Sequence, residues 1–128
     1  MATETTIQSN IIDFINSLPH GTAENVSGNA SQSGRADINA CIEGRAFKIE
    51  VKTEDTKYGR AGATTKQRLY LEKWARAGAV SCVVYSVEDL QWVMQKVRTI
   101  IMGIPDLKLS GRGKWYDVQN KRWVDISY

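Results

Sequence analysis

The sequence predicts one α/β domain, in which a central mixed sheet carries helices on its faces. Apolar residues repeat at three- and four-residue steps in three segments, strand-like segments lie between them, and glycine and proline mark the boundaries. The length of 128 residues suits one compact domain, and 42% apolar with 24% charged residues is enough to bury a core. Disordered, collagen-like and repeat architectures are therefore excluded.

The first segment, residues 5–18, is predicted as a helix because its apolar residues form one stripe at helical spacing. Pro19 and Gly21 end it. A short strand is expected over 23–26. The stretch 27–35 is rich in glycine, serine and asparagine, and is predicted as a loop.

Two strands, 36–43 and 46–53, are predicted to form a hairpin around a type II′ turn at Gly44-Arg45. That register would pair Glu43 with Ala46, Cys41 with Lys48, Asn39 with Glu50, and Asp37 with Lys52. Because side chains alternate across a strand, one face collects the apolar residues Ile38, Ala40, Ile42, Phe47, Ile49 and Val51. The other face collects Asp37, Asn39, Lys48, Glu50 and Lys52.

A glycine- and charge-rich loop is expected over 55–63. A helix capped by Thr64 or Thr65 then runs to Ala77, with Gly78 after its C-terminus. The continuous apolar run 79–85 is typical of a strand that is covered on both faces.

Ser86 is predicted to cap a further helix whose apolar repeat reaches Ile101. Strands over 115–118 and 122–127 then form a second hairpin. We expect residues 1–128 to be a single domain, with a core at about 4–90 and a C-terminal helix and hairpin extension at about 91–128.

The charge distribution favours a polyanionic partner. Residues 1–89 carry ten Lys/Arg and eleven Asp/Glu, whereas residues 90–128 carry seven Lys/Arg and three Asp. A basic end on a near-neutral body suits nucleic acid, although a solvated cationic surface is the simpler alternative.

The composition argues against a membrane or secreted protein. No apolar stretch approaches the roughly 20 residues of a membrane span, and residues 1–6 lack the basic start and apolar block of a signal peptide. Cys41 and Cys82 lie in apolar stretches, and with a single histidine, His20, they make a structural zinc site improbable. We therefore expect a cytoplasmic location, free thiols and no membrane partner.

Asp37, Glu50 and Lys52 converge on the polar face of the hairpin, with the two carboxylates diagonal to each other. Diagonal cross-strand neighbours lie roughly 7–8 Å apart, a gap that two carboxyl side chains can span to share a hard divalent cation. With a lysine beside the cation, this is the minimum set for metal-assisted phosphodiester hydrolysis. The alternative is a solvated face of paired opposite charges.

The ordered motifs resemble the VRR-NUC family of the PD-(D/E)XK nuclease superfamily over residues 4–90. They are Gly34-Arg35-Ala36-Asp37, Gly44-Arg45, Ile49-Glu50-Val51-Lys52-Thr53, Thr65-Lys66-Gln67 and Ala77-Gly78-Ala79. The resemblance implies a restriction-endonuclease-like fold and an Mg²⁺- or Mn²⁺-dependent nuclease. In it Asp37, Glu50 and the carbonyl of Val51 would hold the metal, Lys52 would be the catalytic lysine, and Gln67 would lie near the site.

Two positions depart from the family pattern or leave it open. Ala36 stands where the family usually has proline, which removes no ligand. The acid on the first helix is matched best by Glu4, with Asp13 and Glu24 as rivals. For Glu4, a favourable interaction with the helix N-terminus is the alternative interpretation.

Gln67 also has two interpretations, a residue near the site or part of a helix cap, because Thr64 to Gln67 has the spacing of a helix capping box.

Phosphate contacts are expected from flexible segments, since loops at strand ends commonly carry binding residues. The candidates are Arg35, Lys57, Arg60 and Lys66.

We therefore expect a DNA endonuclease, selective for four-way junctions or other branched DNA and acting as a homodimer in a bacterial or phage-infected cell. The alternatives are a non-catalytic nucleic-acid-binding module, and a nickase or end-processing nuclease without structure selectivity.

Trp74 and Trp92 are expected in helical cores. Trp115 and Trp123 are expected to stack on bases or a partner or, more simply, to pack in the core.

Overall fold

The computed structural model describes residues 3–26, 36–99 and 107–128 of the chain. Its helices are α1 (Glu4–Asn16), α2 (Lys57–Ala61), α3 (Thr65–Arg76) and α4 (Val87–Lys96). Its strands are β1 (Gly21–Asn25), β2 (Ile38–Ile42), β3 (Arg45–Val51), β4 (Val80–Val84), β5 (Lys114–Asp117) and β6 (Arg122–Asp125). The predicted loop 27–35, which contains Arg35, and the predicted end of the last helix at Ile101 lie outside the described residues.

The strands form one six-stranded sheet in the order β1-β2-β3-β4-β5-β6. Strands β3 and β4 are parallel, and every other neighbouring pair is antiparallel. This is the restriction-endonuclease-like α/β fold that the sequence predicts, and the C-terminal hairpin β5–β6 extends the sheet beyond β4. In the described ranges, no helix is long and apolar enough to cross a bilayer.

The register of the β2–β3 hairpin differs from the predicted one. The turn is Glu43-Gly44, and both residues have positive φ angles of 53° and 79°, which is the type I′ geometry. Ile42 therefore faces Arg45, and the ladder continues to the pair Ile38–Ile49. The prediction of a Gly44-Arg45 turn was wrong by two positions in register. Such a shift keeps every side chain on its own face, so the apolar pattern cannot distinguish the two registers.

The corrected register changes the relation between the two carboxylates. Asp37 lies one residue beyond the Ile38–Ile49 pair, which places it opposite Glu50 rather than Lys52. The carboxylates are thus cross-strand neighbours and not diagonal ones.

Helix α2 lies within the stretch predicted as a loop. It is only five residues long, too short to show an apolar repeat. It is held by local contacts instead: the Thr56 side chain caps it, and Gly59 is buried against Thr53. Of the two predicted caps for α3, Thr64 rather than Thr65 is the N-cap, and the predicted cap Ser86 of α4 is confirmed.

The sheet buries a different kind of surface on each side. Helices α1 and α4 cover the apolar face of the hairpin, and residues such as Ile11, Phe47 and Leu90 form the main core there. Helix α3 covers the other face, where Leu71 belongs to a smaller core cluster. The polar face of β3 therefore lies under a helix: Lys48 and Glu50 are both buried.

The tryptophans of the C-terminal hairpin pack within the protein. Trp115 packs against the main core. Trp123 packs against the smaller cluster, and its indole N–H donates to Glu72 Oε2 at 3.1 Å. Trp92 also packs against the main core, whereas Trp74 is half-buried on α3 beside Lys48. The packing interpretation of Trp115 and Trp123 is the one that fits the structure.

Candidate active site

Glu50 lies near the carboxyl end of β3 and is an acidic side chain that the fold buries almost completely. It is 2% exposed. The Nε2 amide of Gln67 donates to its Oε1 at 2.9 Å, and the Lys52 ammonium lies 3.6 Å from the same oxygen. The other oxygen, Oε2, is buried and has no hydrogen-bond donor while Glu50 and Asp37 are both ionised. A side-chain hydrogen bond between Glu50 and Asp37, which forms only when one of the two acids is protonated, also raises the Glu50 pKa. A buried carboxylate oxygen without a partner costs free energy, so this position calls for an explanation.

Asp37 joins Glu50 from the neighbouring chain segment just before β2. It is half-buried, and its Oδ2 accepts a hydrogen bond from the backbone N–H of Val51 at 2.8 Å. This bond ties the Asp37 carboxyl to the strand that carries Glu50. Two acids are thereby held side by side at the end of β3.

The pKa of Glu50 is raised to about 9. Burial is the largest cause, because it disfavours the charged form, and the neighbouring Asp37 charge adds to it. The Lys52 ammonium acts in the opposite direction but does not compensate. At neutral pH and without a bound cation, the Glu50 carboxyl therefore holds a proton.

Glu4, in the first turn of α1, belongs to the same charge group. Its pKa is raised mainly by burial, with Lys52 lowering it and Asp37 raising it, and Glu4 in turn raises the pKa of Glu50. The rivals Asp13 and Glu24 are exposed on α1 and β1, and neither contributes to the pKa shift of Glu50. Of the three candidate acids, Glu4 is the one that the fold brings to the pair.

Gln67 satisfies both interpretations of its position at once. Its Oε1 accepts from the backbone N–H of Thr64 at 2.9 Å, and its own backbone N–H donates to Thr64 Oγ1 at 3.2 Å, which completes the capping box. Its Nε2 remains available and donates to Glu50. The start of α3 is therefore coupled directly to the buried carboxylate.

The donor set fits a hard divalent cation. Within the described ranges, no group of three or more histidine, cysteine, aspartate and glutamate side chains is arranged around a common point. A cation here would therefore draw on the two carboxylates together with backbone oxygen and water, which is how Mg²⁺ is commonly held. The unpartnered Glu50 Oε2 is the observation that favours such a ligand.

Three of the four predicted phosphate-binding residues lie in the part of the chain that the structure describes; Arg35 lies outside it. Lys57 and Arg60 are exposed on α2, and Lys66 is exposed in the first turn of α3. Arg60 is fixed by a hydrogen bond from its Nη1 to the Glu54 carbonyl at 2.8 Å. His20 is exposed beside the β2–β3 turn, where its carbonyl accepts from the Glu43 N–H at 2.9 Å. It lies at the opposite end of the hairpin from Glu50.

A pocket of about 230 Å³, which the sequence did not predict, opens at the carboxyl ends of β3 and β4. It is lined by Ile7, Thr53, Glu54, Asp55, Tyr85, Ser86, Lys108 and Ser110. Buried Asp89 holds its wall in place, because the Asp89 carboxylate accepts from the Tyr85 N–H at 2.9 Å and from the Ser110 hydroxyl at 2.7 Å. The available signal was the parallel β3–β4 pair, since clefts form at the carboxyl ends of parallel strands.

Comparison with known proteins supports the fold. No protein-family model matches the sequence, and no curated protein is similar to it. A solved structure described as a VRR_NUC domain protein superposes with a TM-score of 0.58 at 18% sequence identity. The match covers 77% of this chain and 91% of the other. At this identity the likeness establishes a shared fold.

Proposed function

We propose that this protein is an Mg²⁺- or Mn²⁺-dependent endonuclease that hydrolyses DNA phosphodiester bonds. The observation that carries the proposal is the buried Glu50 carboxyl, which has an unpartnered oxygen and lies beside Asp37 and Lys52. A domain that needed only stability would gain by replacing such a group with an apolar side chain. The nuclease-type fold supports the same conclusion.

The metal would be held by the carboxylates of Asp37 and Glu50 and by the carbonyl oxygen of Val51. When bound, a divalent cation polarises the phosphate and lowers the pKa of a coordinated water. Glu50 must lose its proton to act as a ligand, and the adjacent Lys52 ammonium favours the charged form. Metal affinity should therefore increase with pH.

The remaining site residues orient Glu50 and contribute charge around the proposed metal site. Lys52 lies 3.6 Å from Glu50 Oε1, so its ammonium is close enough to neutralise phosphate charge or to orient the attacking water. Gln67 fixes the orientation of Glu50 through its 2.9 Å hydrogen bond. Glu4 adds a third acid whose charge is felt by both Lys52 and Asp37.

The substrate in this proposal is branched or duplex DNA, bound through Arg35, Lys57, Arg60 and Lys66. One small domain carries one such site, and symmetric cutting of a four-way junction needs two, so we propose a homodimer. The proposed setting is the cytoplasm of a bacterial or phage-infected cell. Sedimentation of a monomer at micromolar concentration, with and without junction DNA, would rule out the junction-resolving dimer while leaving the nuclease proposal standing.

The nuclease proposal is tested by cleavage of labelled four-way junction, duplex and single-stranded DNA in Mg²⁺, Mn²⁺ or EDTA. The wild type should cut only with metal. Glu50→Ala should lower cutting by at least about a thousandfold, because a metal-binding carboxylate supplies several kcal/mol to the transition state. Glu24→Gln is the matched control, since it removes an exposed carboxylate on β1 and should leave cutting unchanged.

Two results would contradict the proposal. One is undiminished cutting by a folded Glu50→Ala protein. The other is DNA binding by the wild type with no turnover in any divalent metal, which would indicate a non-catalytic binding module.

A further inference from the structure

Tyr58 is a large aromatic side chain that the fold leaves in solvent. It lies on α2 and is 86% exposed. Lys57 precedes it, and Arg60 follows two residues later on the same short helix. Among the described residues, the exposed large apolar side chains are Tyr58, Leu69 and Tyr128.

The backbone that presents Tyr58 is anchored beside the proposed catalytic residues. Gly59 packs so closely on Thr53 that a Cβ at this position would lie 1.8 Å from the Thr53 carbonyl oxygen. The Gly59 carbonyl accepts a hydrogen bond from the Tyr85 hydroxyl, and the Gly59 N–H donates to Thr56 Oγ1 at 2.9 Å. Since Thr53 directly follows Lys52, α2 is a fixed platform at the edge of the site.

The surroundings of Tyr58 are cationic. Residues 54–68 contain four basic residues, Lys57, Arg60, Lys66 and Arg68, and two acidic residues, Glu54 and Asp55. Arg112 approaches from the other side, where its Nη1 donates to the Arg60 carbonyl at 3.2 Å and its Nε lies 3.4 Å from Glu54 Oε1. The carboxylate of Glu54 is thus paired with Arg112, and Asp55 is an exposed acid. The basic residues around Tyr58 still outnumber the acidic ones, which suits a phosphate backbone.

An exposed aromatic ring on a fixed, cationic platform has the features of a base-stacking contact. Such contacts take bases that are not enclosed in a duplex, because both faces of a paired base are covered by its neighbours. We propose that Tyr58 stacks on an unpaired base next to the cleaved phosphate, so that this protein prefers DNA with branch points, flaps or single strands over continuous duplex. The inference rests on the proposed function for its substrate class, but its test measures binding alone.

The test compares dissociation constants in EDTA for two labelled DNAs of equal length, a continuous duplex and a duplex with a single-stranded flap, at fixed low salt. Tyr58→Ala should weaken flap binding by about five- to a hundredfold, since stacking of one base contributes that much, and should change duplex binding less than about twofold. Tyr58→Phe and Tyr58→Trp should keep the flap preference because both retain a stacking ring. Tyr128→Ala, which removes a tyrosine that is 93% exposed, should change neither constant.

Equal effects of Tyr58→Ala on both DNAs, or no effect on either, would overturn the inference, as would a wild type that binds flap and duplex equally. Unchanged thermal midpoints would show that the variants are folded. A wild type that cuts DNA without Tyr58-dependent preference would remove only this inference. A Tyr58-dependent preference in a protein that never cuts DNA would remove only the proposed catalytic function.

Discussion

The α3-covered face of β3 carries two buried ionisable side chains, Lys48 and Glu50, which lie two residues apart and are treated very differently by the fold. Lys48 is 8% exposed; its ammonium donates to Asn39 Oδ1 at 2.7 Å and lies 3.8 Å from the centre of the Trp74 ring. Glu50 is 2% exposed, has one oxygen without a partner, and has a pKa of about 9. The same face of one strand thus carries a buried side chain with satisfied polar contacts, Lys48, and a buried side chain without them, Glu50.

The difference teaches how a buried polar group signals function. Burial alone does not, because Lys48 is buried and its charge is balanced by a hydrogen bond and a cation–π contact. The signal at Glu50 is a buried group whose environment opposes its own charged state. Under the proposed function, such a group is retained because a bound cation supplies the missing partner.

The largest effect expected from the difference between Lys48 and Glu50 is the dependence of stability on pH that Glu50 causes. The Glu50 pKa is about 9 in the folded protein against an ordinary 4.5, so the folded state retains a proton that the unfolded state has released. Stability in EDTA should therefore be unaffected by Glu50 below pH 4.5 and should fall as the pH rises towards 9, by up to about 1.4 kcal/mol per unit. At pH 7 the loss is about 3 kcal/mol.

The measurement is urea unfolding of wild type and Glu50→Gln between pH 5 and 8. Because the amide carries no charge, the variant should gain on the wild type as pH rises. The matched control Glu24→Gln should follow the wild type at every pH. Parallel curves for wild type and Glu50→Gln would show that Glu50 does not destabilise the fold as pH rises.

A smaller effect of opposite sign on stability is expected at Lys48. Lys48→Ala should destabilise the domain by about 2 kcal/mol, because it removes a cation–π contact and leaves the Asn39 amide oxygen without its lysine. Cleavage by the folded variant should stay close to that of the wild type. Urea unfolding checks the stability of the variant, and the DNA assay checks its cleavage. A stabilised Lys48→Ala protein would remove the contrast between Lys48 and Glu50.

The smallest effect separates the two roles of Gln67. Thr64→Ala and Gln67→Ala each break the capping box and should each cost about 1 kcal/mol of stability. Only Gln67→Ala also removes the hydrogen bond to Glu50, so it alone should lower cleavage, by about 10- to 100-fold, as changes around a metal ligand commonly do. Equal cleavage by the two variants would mean that Gln67 acts only as a cap.

The sequence was sufficient for the sheet, the capped helices and the grouping of Asp37, Glu50 and Lys52. The alternation of apolar residues in β2 and β3 sets which face each side chain occupies, so that grouping survived the wrong turn assignment. The register itself was not predictable from the pattern, since a two-residue shift leaves both faces unchanged. Only the observed Glu43-Gly44 turn places Asp37 opposite Glu50.

The burial of the polar face of the β2–β3 hairpin could also not be predicted from the sequence. Alternating charges on a hairpin are typical of a solvated surface, and nothing local indicates that α3 returns to cover it. Similarly, α2 is held in part by the hydrogen bond from the Tyr85 hydroxyl to the Gly59 carbonyl, a contact between residues far apart in sequence. Tertiary packing therefore decides which residues of the polar face become buried.

The central claim is that the buried Glu50 carboxyl exists to receive a divalent cation, and thermal unfolding of wild type and Glu50→Gln with EDTA or Mn²⁺ tests it most directly. In EDTA at pH 8, Glu50→Gln should have the higher midpoint, because its amide is neutral at every pH, whereas the wild type must keep Glu50 protonated at a pH where the unfolded chain has released that proton. Mn²⁺ well above its dissociation constant should raise the wild-type midpoint by several degrees and leave that of Glu50→Gln unchanged. Equal shifts in both proteins, or no shift in either, would contradict the claim.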